Sequence, residues 1–174
     1  GSYSGIISAV NYVANNRILP AVANMSLIGG YYAALNDAIT NAIAQGVVFV
    51  VSAGNDNDDS CNYSPASTAG AITVGATTST DARASFSNYG TCLDIFAPGE
   101  AITSAWNTSD TDIAILSGTS MAAPFVAGVA ALYLQANPSA SPATIAGMIS
   151  SNATDNVVTD PVGSINKLVY SAPQ

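Results

Sequence analysis

The chain has 174 residues, the size of one domain, and 49% of them are hydrophobic while only 8% are charged. This composition indicates a globular protein with a large core and excludes a disordered chain, and the apolar runs end well short of the ~18 residues that a transmembrane helix needs. With 3 basic and 11 acidic residues the net charge is −8, and a surface this acidic repels phosphate backbones, which argues against nucleic-acid binding.

Helical and strand patterns alternate along the chain. Apolar residues at helical spacing predict helices over 6–15, 32–45, 119–137 and 141–151. Short apolar runs predict strands over 21–27, 47–51, 71–75 and 94–99, a hairpin from 101–106 and 112–117, and a short edge strand over 166–170. The alternation predicts one α/β domain over residues 1–174, with a mostly parallel sheet that helices cover on both faces.

Ligands of such sheets bind beyond the carboxyl ends of the strands, so the turns at 26–30 and 52–55 and the approach to Ser120 form the candidate site. Gly118, Thr119 and Ser120 begin the long apolar helix, where free backbone N–H groups and the positive end of the helix dipole converge. That setting suits a serine nucleophile whose reaction passes through an oxyanion. Serine and threonine are also the usual helix caps, so a purely structural role is the alternative.

Two other features are ambiguous when they are taken alone. Asn55 follows the strongest strand in a Ser-Ala-Gly-Asn turn, and an asparagine after glycine is usually a turn residue. Cys61 and Cys92 lie in polar, turn-like segments. They would be free thiols in an intracellular protein or a disulfide in a secreted one.

A longer motif surrounds Ser120. The string Gly-Thr-Ser-Met-Ala-x-Pro at 118–124, followed by Val-Ala-Gly, closely resembles the nucleophile segment of the subtilisin-like serine proteases. Segments 62–66, 83–90 and 94–99 resemble the proteinase K branch of that family, which includes the aqualysin-like enzymes. The resemblance extends over essentially the whole chain and implies a secreted serine endopeptidase with a three-layer α/β fold.

The resemblance also implies roles for individual residues. Ser120 is the expected nucleophile, and the Asn55 side chain with the Ser120 N–H is the expected oxyanion hole. Substrate is expected to lie extended between two backbone segments by β-strand addition. The implied substrate-binding residues, which include the walls of the primary specificity pocket, are Gly1, Ser2, Ser26, Leu27, Ile28, Gly29, Ala53 and Gly54. The small residues among them leave room for a large apolar or aromatic substrate side chain.

Two stabilising features are implied in the same way. The resemblance pairs Cys61 with Cys92 in a disulfide, as in the aqualysin-like members. It also implies a structural calcium site formed by Asp94 with carbonyls near Ala69 and Ala71, since calcium prefers oxygen ligands that include a carboxylate. The alternative for Asp94 is a cap at the start of its strand.

The departures from the family are large. Its members carry Asp, His and Ser in that chain order, but this sequence has no histidine and no aspartate in the family's Asp motif. A serine hydroxyl without a general base is a poor nucleophile. We therefore expect residues 1–174 to be the carboxyl-terminal part of a catalytic domain, without its first strands and inactive alone. An N-terminal segment of the same protease would supply the Asp and the His.

Two single residues also depart from those usual in the family. Phe125 stands where the family usually has His, and Ile28 replaces a glycine, where its branched side chain could narrow the specificity pocket or the neighbouring subsite.

One alternative function is that of an incomplete fragment or pseudoprotease that binds peptides without turnover. Another is a structural or lectin-like secreted domain in which Ser120 only caps a helix. In either protease reading, a sheet without its first strands should expose an apolar edge.

Overall fold

The computed structural model describes residues 1–171. The helices are α1 (Tyr3–Asn16), α2 (Ala33–Ala44), α3 (Thr119–Ala136) and α4 (Pro142–Asn152), and a 3-10 turn covers Ser60–Asn62. The strands are β1 (Ala21–Met25), β2 (Gly29–Gly30), β3 (Val47–Ser52), β4 (Tyr63–Ser64), β5 (Ile72–Thr77), β6 (Ile95–Pro98), β7 (Ile102–Ala105), β8 (Ile113–Leu116), β9 (Thr154–Asp155) and β10 (Lys167–Leu168). All the predicted helices are present, and β7 and β8 form the predicted antiparallel hairpin.

The main sheet has six strands in the order β1-β3-β5-β6-β10-β9. All neighbours in it are parallel except β10 and β9, which confirms the mostly parallel sheet. The prediction that 166–170 form an edge strand is wrong, because β9 pairs outside β10. Lys167 Nζ reinforces this pairing with a 2.6 Å contact to Asp155 Oδ1, and a two-residue strand such as β9 has no periodicity that a sequence could reveal.

The sheet lies between two helical layers because β3 alternates its side chains between them. Val47, Phe49 and Val51 pack in a cluster with α1 and α2. Val48 and Val50 pack in a second cluster with α3 and α4 on the opposite face. This three-layer arrangement brings the carboxyl end of β3 and the start of α3 to one edge of the sheet.

Helix α3 is buried on one side only. Its inner residues are small or branched, as in Ala122, Ala123 and Val126, and they pack on the sheet. Its outer side exposes Pro124 and 45% of Phe125. The length and apolar composition of α3 would also suit a membrane-spanning helix, and those of core helices in soluble proteins often do as well.

Strand β1 lies at one end of the sheet and pairs only with β3 among residues 1–171. An apolar groove of about 250 Å³ lies beside it, where α1 contributes Ile6 and Val10 and β1 contributes Ala23. The β7–β8 hairpin also exposes apolar residues, among them 68% of Ile113 and 64% of Ile115. The described chain therefore has the apolar edge and face that were expected.

Candidate active site

The start of α3 is anchored to the turn that follows β6. Gly118 N–H donates a 2.8 Å hydrogen bond to the carbonyl of Gly99. A Cβ on Gly99 would lie 2.5 Å from the Cβ of Ala76 and 2.9 Å from the Gly118 carbonyl oxygen. Only glycine permits this approach, and the approach places Ser120 at the carboxyl edge of the sheet.

Thr119 connects the start of α3 to the turn after β3. It is buried, and its Oγ1 accepts a 3.1 Å hydrogen bond from the N–H of Gly54. The same hydroxyl donates to Asn55 Oδ1 at 3.0 Å, and the Thr119 N–H donates to that oxygen at 2.9 Å. Sequence reasoning placed Thr119 in the motif but missed this bridging role, because it depends on contacts 64 and 65 residues apart.

These contacts fix the orientation of the Asn55 amide. Both Thr119 donors occupy Oδ1, so the Nδ2 group is left as the donor, with no acceptor among residues 1–171. A Cβ built on Gly118 would lie 3.3 Å from this nitrogen, so it faces the start of α3. The Ser120 N–H also has no acceptor in the described chain. Two unused donors and the positive end of a helix can stabilise a developing oxyanion.

The Ser120 hydroxyl lies beside the 26–30 turn. It donates to the carbonyl oxygen of Ser26 at 3.5 Å, and Ser26 Oγ donates to the Ser120 carbonyl at 2.8 Å. No carboxylate, amine or other basic side chain contacts Ser120 Oγ in the part of the chain that the structure describes. Because the sequence also has no histidine, the described chain offers the Ser120 hydroxyl no general base.

The predicted substrate segments are partly brought together. Gly1, Leu27, Ile28 and Gly29 line one cavity of about 410 Å³ together with Tyr3. Ser2 has a different role, since it caps α1 by accepting a hydrogen bond from the Gly5 N–H.

Ala53 and Gly54 lie on the opposite wall of the site, directly after β3. Both are buried, and Gly54 has a φ of +109°, a conformation that favours glycine. The Ile28 side chain lies against Gly54, because a Cβ on Gly54 would be 2.4 Å from Ile28 Cδ1.

Asn88 is a positioning residue that sequence reasoning missed. It is fully buried, and its Nδ2 donates to the Ala53 carbonyl at 3.0 Å. Its Oδ1 accepts hydrogen bonds from the N–H groups of Asp56 and Asp58, so it holds both sides of the turn that carries Asn55. It lies in the 83–90 segment, but a single asparagine gives no pattern from which this role could be read.

Asp94 lines a cavity of about 340 Å³ together with Gly70 and Ala71, whereas Ala69 is not among the residues that line it. Its Oδ2 accepts a 2.8 Å hydrogen bond from the Thr73 N–H. Burial raises the pKa of Asp94, and the Thr73 N–H opposes that shift only in part. The described residues contain no group of three or more cysteines or carboxylates that could hold a metal, so a cation here would rely on backbone oxygens and water.

The structure pairs Cys61 with Cys92 at an S–S distance of 2.09 Å, as the resemblance implied. The bond ties the 3-10 turn at Ser60–Asn62 to the segment before β6.

Comparison with known proteins agrees with this geometry. Residues 1–166 match the profile of the subtilase family, so the chain belongs to that family. It is 57% identical over 98% of its length to alkaline serine exoprotease A of Vibrio alginolyticus, and 60% identical over 91% to the extracellular serine proteinase of Thermus sp. strain Rt41A. The crystal structure of a cold adapted subtilisin-like serine proteinase covers the whole chain with a TM-score of 0.96 and 52% identity.

These relatives are longer than the chain. It spans 32% of the Vibrio protein, 38% of the Thermus protein and 63% of the cold adapted proteinase chain. The fold of residues 1–171 is therefore subtilisin-like, with the mostly parallel sheet and flanking helices that were predicted.

Proposed function

We propose that the chain carries the nucleophile and oxyanion hole of a secreted subtilisin-like serine endopeptidase. The carrying observation is the Thr119–Asn55 contact, which aims an unused amide donor at the start of the helix that bears Ser120. A serine that merely capped α3 would not need this arrangement. The N-cap position of α3 is also occupied by Gly118, and no side chain caps the helix there.

In the proposed reaction Ser120 Oγ attacks the carbonyl carbon of a peptide bond while a base accepts its proton. The carbonyl oxygen becomes an oxyanion, which the Asn55 amide and the Ser120 N–H stabilise. The intermediate then expels the amine, which takes the proton from the base, and leaves an ester on Ser120. Attack by water releases the carboxylic acid and restores the serine.

The base has to come from outside this chain. We propose that an N-terminal segment with the catalytic Asp and His adds to the open edge of β1 and covers the apolar face beside Phe125. Three observations support this: the sequence has no histidine, the chain spans only part of its relatives, and β1 and Phe125 are uncovered among residues 1–171.

A reconstitution experiment tests this function. The chain is refolded with and without the N-terminal segment of a close relative, and release of a chromophore from a peptide anilide is measured. The proposal predicts hydrolysis only in the mixture, with intact mass and N-terminal sequencing confirming two polypeptides. Peptide binding without hydrolysis in the mixture would favour the pseudoprotease alternative.

We propose calcium as a structural cofactor at Asp94. The fit rests on the carboxylate itself, because desolvation raises the pKa of Asp94 and only the Thr73 N–H hydrogen-bonds to its side chain in the described chain. A cation bound to Asp94 and the Ala71 carbonyl, which line the same cavity, and to the Ala69 carbonyl, which the family resemblance adds, would compensate the charge of the carboxylate. When bound, calcium would stabilise the packing of β5 on β6 and take no part in the reaction.

Secretion is the matching proposal for location. A disulfide such as Cys61–Cys92 persists in oxidising, extracellular surroundings. The Thermus relative is named as an extracellular proteinase.

A further inference from the structure

The space beside the nucleophile is bounded by two backbone segments. On one side, Ser26 contacts Ser120 through two hydrogen bonds. On the other, the Gly54 N–H is bonded to Thr119, the neighbour of Ser120 in the chain. A substrate whose carbonyl lies over Ser120 must place the side chain of that residue between these segments.

The Ile28 side chain occupies part of this space. Its Cδ1 is so close to Gly54 that a Cβ there would lie only 2.4 Å away. Asn88 Nδ2 would lie 2.3 Å from the same Cβ. Gly54 is therefore buried although it carries no side chain.

The backbone at Ile28 and the side chain of Asn88 are both held in place. Ser52 Oγ donates to the Leu27 carbonyl at 3.2 Å, and Gly29 pairs with Ser64 between β2 and β4, so the backbone on both sides of Ile28 is held. Asn88 is held in turn by its bonds to the 53–58 turn. Only rotation of the Ile28 side chain remains: its β-branched Cβ restricts χ1, and rotation about χ2 moves only the terminal methyl group.

We infer that Ile28 is a specificity-determining residue that closes the primary pocket to large side chains. The inference rests on the proposed function, because it takes Ser120 as the attacking group. The protein would cleave after glycine, alanine or serine, and would reject the aromatic residues that the small pocket walls alone would admit. It favours one of the two expectations drawn from the sequence, the pocket narrowed by Ile28, over the pocket left open by its small residues.

The test compares two peptide pairs on the chain assembled with the N-terminal segment. Hydrolysis of succinyl-Ala-Ala-Pro-Ala and succinyl-Ala-Ala-Pro-Phe anilides measures turnover. Calorimetric binding of the matching free-acid product peptides measures the pocket without needing the base. Forcing an extra side chain into a filled pocket is expected to favour alanine over phenylalanine by roughly 10- to 100-fold in both measurements.

Three variants make the result specific. Ile28→Gly should reverse the preference toward phenylalanine by roughly 10- to 100-fold, measured as the ratio of kcat/KM for the two anilides. Ile28→Val, which loses the methyl group nearest Gly54, should shift the ratio part of the way. Ile28→Ala gives a second open pocket with less loop flexibility, in case the glycine variant folds poorly.

The outcomes separate the two proposals. A parent that prefers phenylalanine in binding and turnover, or a ratio that no Ile28 variant moves, would overturn the inference. Absence of hydrolysis with both anilides, with the alanine preference in binding intact, would support the closed pocket and count against the proposed nucleophile.

Discussion

The two sides of Ser120 differ in how far this chain completes them. On the Asn55 side, Thr119 connects the helix start to the turn after β3 through three hydrogen bonds, and Asn88 holds that turn from behind. On the Phe125 side, the helix and the β7–β8 hairpin present exposed apolar side chains.

The difference follows from where the parts lie in the sequence. The two donors proposed for the oxyanion lie in the turn after β3 and at the start of α3, both within residues 1–171. The proposed N-terminal segment would bring the base to the Phe125 side, where the residues that line the cavity beside Ser120 include no carboxylate, amine or imidazole. The Asn55 side should therefore govern transition-state stabilisation, and the Phe125 side should govern whether the reaction starts at all.

Replacing the nucleophile should have the largest effect. In the assembled protein, Ser120→Ala should lower kcat on the order of 10⁶-fold, the loss measured for the nucleophile of subtilisin, a member of the same family. Product peptides should still bind, because the pocket walls remain. Steady-state hydrolysis and calorimetry check both statements.

The matched control is Ser117→Ala. Its hydroxyl only accepts a hydrogen bond from the Ala101 N–H at the end of the hairpin, so activity should change no more than a few-fold. Equal losses in the two variants would contradict the assignment of Ser120.

The second-largest effect is expected on the Asn55 side of Ser120. Asn55→Ala removes the donor aimed at the oxyanion and should lower kcat on the order of 10²–10³-fold, the range known for the corresponding donor in subtilisin, with little change in KM. Asn57→Ala is the control, since its side chain bonds only to Arg83, which lies 26 residues further along the chain. A rise in KM with kcat preserved would show that Asn55 binds substrate and does not stabilise the oxyanion.

Thr119→Val should have a smaller effect of the same kind. It removes the hydroxyl that orients Asn55 and leaves the buried Gly54 N–H without an acceptor, so kcat should fall roughly 10- to 100-fold while KM changes little. Thr119→Ser keeps the hydroxyl and should restore most of the rate. Failure of serine to rescue would mean that Thr119 acts through packing alone.

The smallest effect on catalysis is expected at Asp94, far from both sides of Ser120. Because burial raises the folded pKa of Asp94, its ionised form destabilises the calcium-free fold at neutral pH. That destabilisation fades as the pH falls through the raised pKa. Asp94→Asn should therefore stabilise the protein slightly in a chelator, with kcat unchanged.

With calcium the sign reverses. At 100 times its Kd, calcium stabilises the parent by about 2.7 kcal/mol, so the variant should lose roughly 5–10 °C of Tm relative to the parent. Thermal unfolding with calcium and with a chelator checks both signs. A variant that responds to calcium as the parent does would exclude Asp94 as the ligand.

The sequence predicted the parts of the fold that depend on long local patterns. Strand β3 and helix α3 were evident because each is a sustained apolar run, and their junctions pointed to Asn55 and Ser120. The position of β10 between β6 and β9 was not predictable, because two-residue strands carry no periodic signal. The Thr119 bridge, the Asn88 support and the contact of Ile28 with Gly54 arise from residues distant in sequence whose side-chain directions are set by packing.

Labelling of Ser120 by a fluorophosphonate, followed by intact mass, tests the central claim most directly. The chain is treated alone and after assembly with the N-terminal segment, and Ser120→Ala is treated in parallel. We predict stoichiometric modification at Ser120 in the assembled protein and almost none in the chain alone over the same time. Equal modification of the chain alone, or no modification of the assembled protein, would contradict the claim that Ser120 is a nucleophile whose base comes from the N-terminal segment.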